Sequence, residues 1–272
     1  MSQTVLITGA STGIGRATAK WFQEKGWNVI ATMRSPQKET ELTQLDNILV
    51  TRLDVTDSES IHAAVAQGLE RFGKIDALIN NAGYGAYGPL EAVPMENVRR
   101  QFDTNVIGLL EVTKSVLPHL RRQKSGTIVN ISSIGGKVTF PLGQLYHGTK
   151  FAVEGISESL SYELAPIGIN VKIVEPGAIA TDFAGRSFDF QNDESLEEYQ
   201  DVVQKVMGSF EGILGEAASA DLVAEVIWTA VTDGTDTLRY LVGEDAKSWA
   251  ANRQTMDDKT FIGDIKSQFG TA

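Results

Sequence analysis

The fold of this chain is decided by residues 4–15, which read TVLITGASTGIG. A short apolar run ends at Thr8, and Gly9, Gly13 and Gly15 come next. A second apolar pattern, with the spacing of a helix, begins in the same stretch. Glycines permit a tight turn, while a helix start offers free N–H groups and the positive end of the helix dipole. The segment therefore predicts a strand, a phosphate-binding turn and a helix, with a compact turn that binds no ligand as the alternative.

The rest of the sequence alternates between strand-like apolar runs and helical patterns. Strands separated by helices require right-handed crossovers, so this order predicts a parallel sheet with helices on both faces. The expected fold class is α/β: a single Rossmann-type, doubly wound parallel sheet of about seven strands, in one domain that covers residues 1–272. The predicted strands are Thr4–Thr8, Trp27–Met33, Ile48–Leu53, Ile75–Asn80, Gly126–Ser132, Asn170–Glu175 and Tyr240–Gly243. The predicted helices are Gly13–Lys25, one that begins at Asp57, Met95–Thr104, Val106–Arg122 and Tyr146–Leu164.

An acidic, irregular stretch at about 183–215 follows the sixth predicted strand. Ligands of open α/β sheets bind beyond the carboxyl ends of the strands, so we expect this insertion to act as a lid, with a short helix near Leu196–Met207. The tail at about 244–272 is polar with scattered apolar residues, and we expect it to pack on the sheet edge or on a neighbouring subunit.

The composition excludes several classes of site and partner. The chain contains no cysteine, which rules out disulfides, thiolate catalysis and thiolate metal sites, and none of its three histidines has a partner at metal-ligand spacing. A formal net charge of −11 argues against binding to nucleic acid or to anionic membranes. The first residues lack the pattern of a signal peptide, so we expect a cytoplasmic protein without a metal.

Tyr146 and Lys150 lie four residues apart in the segment YHGTK, and Ser133 precedes them. On a helix this spacing places both side chains on one face. A nearby ammonium favours the phenolate and lowers the pKa of a tyrosine, which can then exchange a proton with an alcohol or a ketone. Ser133 is a candidate to hold the substrate oxygen. Taken alone, a tyrosine and a lysine at this spacing are more often a solvated helix face.

Two strand ends suit a bound dinucleotide. Asp54 and Val55 follow the third strand, where the carboxylate can accept a hydrogen bond from an adenine amino group. The segment Asn80–Gly83 follows the fourth strand, where small residues let a ribose approach the backbone. Asparagines at strand ends are also common turn formers, so this second pattern alone leaves both interpretations open.

Together these motifs resemble those of the short-chain dehydrogenase/reductase family from about Thr4 to Gly243. The matching segments, in chain order, are Thr8–Gly15, Asp54-Val55, Asn80–Gly83, Asn105, Ser133, Tyr146 with Lys150, and Pro176-Gly177. Residues 31–34 and 239–243 are most similar to the branch that contains the 17β-hydroxysteroid and retinol dehydrogenases. The resemblance implies an oxidoreductase that interconverts a ketone or aldehyde and the corresponding alcohol by hydride transfer.

The resemblance also implies roles for four catalytic residues. Tyr146 is the acid–base, Lys150 lowers its pKa and binds the nicotinamide ribose, and Ser133 orients the carbonyl. Asn105 would hold a water that links Lys150 to solvent; it could equally kink the helix and satisfy local backbone, and both can be true. The implied cofactor-binding residues are Gly9, Ser11, Thr12, Gly13, Ile14, Gly15, Arg34, Asp54, Val55, Asn81, Ala82, Gly83, Tyr146, Lys150, Pro176, Gly177, Ile179 and Thr181.

Charge at the end of the second strand favours NADP(H) over NAD(H). Relatives that bind NAD commonly carry an acidic residue there, which bonds the ribose 2′-hydroxyl. Here the position is Met33, followed by Arg34, whose guanidinium can bind a 2′-phosphate. Thr12 opposes this prediction, because many NADP-preferring relatives carry a basic residue at that position. An ordinary solvated arginine is the alternative for Arg34.

The substrate is expected to be a small-molecule carbonyl compound or alcohol that is neutral and fairly apolar, because the candidate lining is mostly aromatic and aliphatic. The candidate substrate-binding residues are Ser133, Tyr146, Tyr84, Leu142, Phe183 and Phe188, with Leu145 and Phe210 as further possibilities. By resemblance we expect a homodimer or homotetramer. The alternative function is a non-catalytic, NADP-sensing binding protein on the same fold. A dehydratase or epimerase is a third hypothesis, although such relatives usually carry a larger C-terminal substrate domain.

Overall fold

The computed structural model describes residues 2–181, 187–214 and 217–271. The strands are β1 (Thr4–Ile7), β2 (Asn28–Met33), β3 (Ile48–Arg52), β4 (Ala77–Asn80), β5 (Gly85–Tyr87), β6 (Gly126–Ile131), β7 (Ile169–Pro176), β8 (Ile179–Ala180), β9 (Phe188–Phe190), β10 (Ala218–Ser219) and β11 (Arg239–Val242). The α-helices are α1 (Gly13–Glu24), α2 (Ser58–Phe72), α3 (Met95–Phe102), α4 (Gly108–Gln123), α5 (Gln144–Leu164), α6 (Glu197–Leu214), α7 (Ala220–Thr232), α8 (Glu244–Thr255) and α9 (Asp258–Gln268). A π-helical turn at Asp103–Ile107 joins α3 to α4.

Seven of these strands form one sheet in the order β11-β7-β6-β4-β1-β2-β3, and every neighbouring pair is parallel. The predicted Rossmann-type sheet is therefore confirmed. The order of strands reverses between β1 and β4, and ligands of such sheets bind at this reversal, beyond the carboxyl ends of the strands. The glycine-rich turn and the segment after Asn80 both start from this point.

Successive side chains along each strand pack in two different cores, one on each face of the sheet. Along β1, Val5 and Ile7 belong to the core under α1 and α7, whereas Leu6 belongs to the core under α2 and α4. This alternation follows from the period of two in an extended strand. Helix α2 begins as predicted at Asp57, whose side chain accepts a hydrogen bond from Ser60 N at 3.1 Å.

The region predicted to be a lid is more ordered than its composition indicated. Strand β9 pairs in parallel with β5. The helix expected near Leu196–Met207 is present as α6, but with 18 residues it is longer than expected. The pairing joins segments about a hundred positions apart, which no local pattern reports. Residues 182–186, which include Phe183, lie outside the described residues.

The tail forms α8 and α9 and packs against the segment that follows β6. Phe261, Ile265 and Phe269 of the tail share a third core with Ile134 and Val138. Among the residues that the structure describes, no helix combines the length and the apolar character needed to cross a membrane.

We predict that Phe22→Ala lowers the free energy of unfolding by about 3–5 kcal/mol, the range for a fully buried aromatic ring. Phe22 is fully buried and makes edge contacts with Trp27 and Trp228, at centroid distances of 5.2 and 5.1 Å. Urea denaturation gives the value. Ile262→Ala is the control, because Ile262 is 52% exposed on α9 and should change stability by less than about 0.5 kcal/mol. Similar losses in both variants would contradict the assignment of Phe22 to the core.

Candidate active site

The glycine-rich turn is held against the end of β2. Ala10 N donates to Thr32 O at 2.9 Å, which places the turn beside Arg34. Gly9 and Gly13 have φ values of 69° and 54°, in the left-handed region that favours glycine. The predicted strand, turn and helix are therefore present, and the glycines stand where the backbone requires them.

Thr8 and Asn81 hold the two loops at the reversal of strand order together. Thr8 Oγ1 accepts from the backbone N–H groups of Asn81 and Ala82, both at 3.0 Å. Asn81 Nδ2 donates to Thr8 O at 2.9 Å and to Gly9 O at 3.2 Å. We call this set of bonds the Thr8–Asn81 clasp. The Asn81 side chain is thus occupied in fixing the turn, a role that the sequence did not indicate.

The start of α1 fits an anionic group. Thr12 provides no side-chain cap hydrogen bond to the helix, and the first turn contains no acidic residue. The first N–H groups of a helix have no partner within it, so they are available to a phosphate together with the helix dipole. Arg16 in the same turn is already engaged, since its Nε donates to Ser11 O at 3.0 Å and its guanidinium pairs with Glu39 and Glu41.

Arg34 is the cation at the end of β2 that remains available. Its side chain is exposed, and the structure gives it no ion-pair partner within residues 2–181, 187–214 and 217–271. Asp54 lies at the end of β3, where its Oδ1 accepts from Thr56 N at 3.0 Å and from Thr56 Oγ1 at 2.8 Å. Val55 packs beside Gly108, at which an added Cβ would lie 2.7 Å from Val55 O.

Helix α5 and the turn after β6 bring Ser133, Tyr146 and Lys150 together. Ser133 Oγ accepts from Gly135 N at 3.0 Å and also hydrogen-bonds the Tyr146 side chain. Lys150 Nζ lies 5.6 Å from the centroid of the Tyr146 ring and donates to Ile131 O at 2.8 Å. The spacing of Tyr146 and Lys150 therefore does place both side chains on one face of a helix, as the sequence predicted.

The pKa of Tyr146 is raised in this geometry, and the lowering effect expected of Lys150 stays a prediction. Burial is the larger cause, and the hydrogen bond from Ser133 acts in the opposite direction. Burial also lowers the pKa of Lys150 to about 8, while the charge of Glu154 raises it. Desolvation of the phenolate thus sets the direction of the Tyr146 pKa.

Asn105 lies in the π-helical turn and is buried. Its Oδ1 accepts from Tyr84 N at 3.1 Å, and its Nδ2 donates to Tyr84 O at 2.9 Å and to Thr149 Oγ1 at 3.1 Å. The amide therefore satisfies local backbone and joins the end of β4 to α5. That arrangement matches the alternative interpretation of Asn105, and a water linking Lys150 to solvent stays a prediction.

The loop after β7 closes over the glycine-rich turn. A Cβ built at Gly13 would lie 3.4 Å from the Thr181 side chain, so these two predicted cofactor contacts are neighbours. Gly177 N donates to Val242 O at 2.9 Å, and Ala178 N donates to Asp245 Oδ2 at 2.7 Å. Pro176 ends β7, Gly177 follows it, and Ile179 begins β8 two residues later.

Tyr87 is the aromatic residue next to Tyr146, and the sequence analysis missed it. Its ring stacks on Tyr146 at a centroid distance of 5.5 Å and on Phe188 at 4.8 Å, and it meets the edge of Phe210 at 6.0 Å. Phe188 and Phe210 therefore approach Tyr146 through Tyr87, and their role in binding substrate stays a prediction. The repeated tyrosines at 84 and 87 were a usable signal, but which of them points inward depends on the pairing of β5 with β9.

Three other candidates for the substrate pocket are placed differently. Tyr84 turns its hydroxyl to Arg100 Nε at 3.0 Å, and Leu145 packs in a small core with Ala86 and Val93. Leu142 has a φ of 64°, uncommon for its size, and packs in the third core. Leu142 also lines a groove of about 480 Å³ along α5, but Tyr146 is not among the residues that line this groove.

His147 supports the turn that carries Ser133. One ring nitrogen, Nδ1, lies 2.9 Å from Gly135 O, and the other, Nε2, accepts from Phe140 N at 3.0 Å. Because both nitrogens are engaged in a buried site, the ring is neutral with the proton on Nδ1, and burial lowers its pKa. His147 therefore has a packing role beneath this turn.

The family profile of the short chain dehydrogenases matches residues 3–192, and the chain belongs to this family. An uncharacterized oxidoreductase of Schizosaccharomyces pombe (strain 972) is 45% identical over 243 residues, which cover 88% of this chain and 100% of the relative. A 3-ketodihydrosphingosine reductase of Bacteroides thetaiotaomicron is 42% identical over 181 residues, covering 66% of this chain and 65% of the relative. Retinol dehydrogenase 8 of Homo sapiens is 39% identical over 194 residues, covering 68% and 61%.

Solved structures of the same fold include proteins with bound dinucleotides. A short-chain dehydrogenase from Streptomyces avermitilis is 32% identical, with a TM-score of 0.85 and coverage of 100% of this chain and 99% of the other. ElxO with NADP bound is 30% identical, with a TM-score of 0.73 and coverage of 89% and 98%. A 3-ketoacyl-(acyl-carrier-protein) reductase from Brucella melitensis, complexed with NADH, is 26% identical, with a TM-score of 0.75 and coverage of 90% and 98%. The chain is thus an oxidoreductase of this family, whose neighbours bind either dinucleotide.

We predict that Gly15→Ala weakens the binding of NADPH at least about tenfold and lowers stability by about 1–3 kcal/mol, as overpacking does. The new Cβ would lie 2.5 Å from Asn81 Nδ2 and would also overlap Gly9 O, so the Thr8–Asn81 clasp must shift. Fluorescence titration with NADPH and urea denaturation measure the two effects.

Gly155→Ala is the matched control for this prediction. Gly155 lies on the exposed face of α5 with no neighbouring atom within 4 Å of an added Cβ, so alanine should stabilise the helix by about 0.5–1 kcal/mol. Unchanged NADPH affinity in Gly15→Ala would show that the clasp does not position a dinucleotide.

Proposed function

We propose that the protein is an NADP(H)-dependent oxidoreductase that interconverts a ketone or aldehyde and the corresponding alcohol. The observation that carries this proposal is the convergence of Ser133, Tyr146 and Lys150 beside a loop that reaches back to the glycine-rich turn through Gly13 and Thr181. A dinucleotide bound along the turn would supply or accept the hydride. The protein contributes binding, orientation and the proton.

Tyr146 is the proposed proton donor to the carbonyl oxygen. Its raised pKa keeps the phenol protonated at neutral pH, which is the form needed to reduce a carbonyl. Oxidation of an alcohol needs the phenolate, so its rate should rise as pH increases toward the pKa of Tyr146. Ser133 lies within hydrogen-bonding reach of the same hydroxyl and is proposed to hold the substrate oxygen.

Lys150 is proposed to act as a cation beside Tyr146 and as a donor to the nicotinamide ribose. With a pKa of about 8, its side chain is charged at neutral pH. Asn105 is proposed to act by position, because its amide ties Tyr84 to Thr149, one residue before Lys150. These four residues form the proposed catalytic set.

NADP(H) is the proposed cofactor because Arg34 offers an exposed guanidinium at the end of β2, without an ion-pair partner among the described residues. The neighbouring cation, Arg16, is neutralised by Glu39 and Glu41, so it adds little attraction for a second phosphate. The relative ElxO has NADP bound, which agrees with the proposal, while the NADH complex of another neighbour shows that the fold accepts both. A carboxylate at position 34 would instead repel a 2′-phosphate.

The proposed substrate is neutral and fairly apolar. Tyr87 stacks on Tyr146, while Phe188 and Phe210 pack against Tyr87, and aromatic side chains of this kind favour an apolar substrate over a charged one. Relatives named for 3-ketodihydrosphingosine and for retinol agree with a substrate that has a large hydrocarbon part. A cytoplasmic location, a single domain and a homo-oligomeric state stay predictions. The alternative function is a non-catalytic NADP sensor. A sensor would not require all four residues of the proposed catalytic set, so their presence together favours an enzyme.

We predict that Tyr146→Phe lowers kcat by roughly 10²–10⁴-fold, the usual contribution of general acid–base catalysis, while the Kd of NADPH changes little. NADPH absorbance with a panel of apolar ketones and aldehydes measures turnover, and fluorescence titration measures cofactor binding. Tyr162→Phe is the control on the same helix, because Tyr162 is 71% exposed and its hydroxyl donates to Glu158. Near-wild-type turnover in Tyr146→Phe would contradict the assigned role, and no turnover of any compound by the wild type would favour the sensor.

We predict that Arg34→Asp reverses the cofactor preference, raising the KM for NADPH at least about tenfold and lowering that for NADH, since a charged hydrogen bond contributes about 1.5–3 kcal/mol. Arg121→Asp is the control, because Arg121 is exposed near the end of α4 and carries the same charge change away from β2. A wild-type enzyme with a lower KM for NADH than for NADPH would reject the assignment of Arg34.

A further inference from the structure

A cluster of charged side chains lies one helical turn beyond Lys150. Glu154 follows Lys150 at the i+4 position of α5, so the two side chains share a face of the helix. The Oε2 atom of Glu154 accepts from Arg239 Nε at 3.0 Å, and Arg239 also pairs with Glu158. Glu154 is 6% exposed, so its carboxyl group is almost entirely withdrawn from water.

Glu175 brings a second buried carboxyl group to this cluster. It lies in β7 directly before Pro176 and is 1% exposed. Its Oε1 atom lies 3.6 Å from Arg239 Nε and 3.8 Å from Lys137 Nζ, which are long distances for hydrogen bonds. The charged groups that face the two carboxyls are therefore Lys150 and Glu158 of α5, Arg239 of β11, and Lys137 of the turn after β6.

One oxygen of each carboxyl group lacks a donor among the described residues. These atoms are Glu154 Oε1 and Glu175 Oε1, and both are buried. Burial and then the charge of Glu154 raise the pKa of Glu175 to about 7, and a hydrogen bond between the two carboxyls acts in the same direction. A hydrogen bond between two carboxyl groups requires that one of them carries a proton.

The same carboxyl pair packs under the turn that carries Ser133. A Cβ built at Gly136 would lie 3.0 Å from Glu154 Cγ and 3.1 Å from Lys150 O. Gly136 N in turn donates to Ser133 O at 2.8 Å. The Glu154 side chain therefore lies against the turn that carries Ser133, and it also acts on Lys150.

We propose that Glu154 and Glu175 share one buried proton and act as positioning residues that keep Lys150 charged beside Tyr146. This inference rests on the role of Lys150 in the proposed function. Burial alone draws Lys150 toward its neutral form, and the carboxylate of Glu154 opposes that tendency. As pH rises through about 7 the shared proton leaves, and the additional negative charge favours the ammonium further.

Competitive labelling of the full chain with acetic anhydride, read by mass spectrometry of the peptide that contains Lys150, tests the proposal without turnover. In Glu154→Gln we expect the pKa of Lys150 to fall by about one unit, because a carboxylate is replaced by an amide of the same size. In Glu175→Gln we expect a smaller fall and the loss of the inflection that the shared proton causes near neutral pH. Unchanged titration of Lys150 in these variants overturns the proposal.

Glu158→Gln is the matched control, because Glu158 pairs with the same arginine but its side chain is 42% exposed. We expect the titration of Lys150 to stay as in the wild type, and a shift equal to that of Glu154→Gln overturns the proposal. Should circular dichroism show that Glu154→Gln does not fold, Glu175→Gln decides: loss of the inflection supports the shared proton, and its retention refutes it.

The pH profile of kcat separates this role from a merely structural one. A lower pKa of Lys150 moves the alkaline limb of the profile to lower pH in Glu154→Gln, while kcat between about pH 6 and 7 falls no more than a few-fold. A uniform loss of kcat at every pH overturns the positioning role. The labelling result does not depend on turnover, so failure of the proposed function and failure of this inference are distinguishable.

Discussion

The hydrogen bonds of the Thr8–Asn81 clasp join the ends of β1 and β4, the strands between which the order of the sheet reverses. These hydrogen bonds hold together two loops that start about seventy positions apart in the sequence. The bonds are partly buried, and a buried polar group that loses its partner costs about 1–3 kcal/mol, so neither loop can shift alone at low cost. Further hydrogen bonds connect the clasp to the rest of the site. Ala10 joins the glycine-rich turn to β2, and Asn105 joins the residues after Asn81 to α5.

Local patterns account for the parts of the fold and site that the sequence predicted correctly. The strands of the main sheet are apolar because both of their faces are covered, and that property is visible in each segment by itself. Asp57 was recognisable as a helix start, and Tyr146 and Lys150 as neighbours on a helix, because both features depend on spacings of three or four residues. The family resemblance rested on these same short segments.

The features that the sequence did not indicate depend on contacts between distant segments or on burial. Strand β5 has three residues and exists through its pairing with β9, so nothing local distinguished Tyr87 from Tyr84 as the neighbour of Tyr146. The direction of the Tyr146 pKa followed desolvation rather than the nearby charge, and desolvation is not visible until the chain is folded. Helices α8 and α9 were missed because their sequences are mostly polar, and the apolar residues that pack in the third core are scattered among polar ones.

The buried carboxyl pair also bears on how this protein can diverge. Lys137, Glu154, Glu175 and Arg239 come from four separate elements, yet each compensates the charge or polarity of another. Removing one member of a buried ionic set costs about 3–5 kcal/mol, whereas exchanging the whole set for apolar residues is often neutral. Evolution should therefore retain or discard these four positions together, so that they covary as a group although they are scattered along the chain.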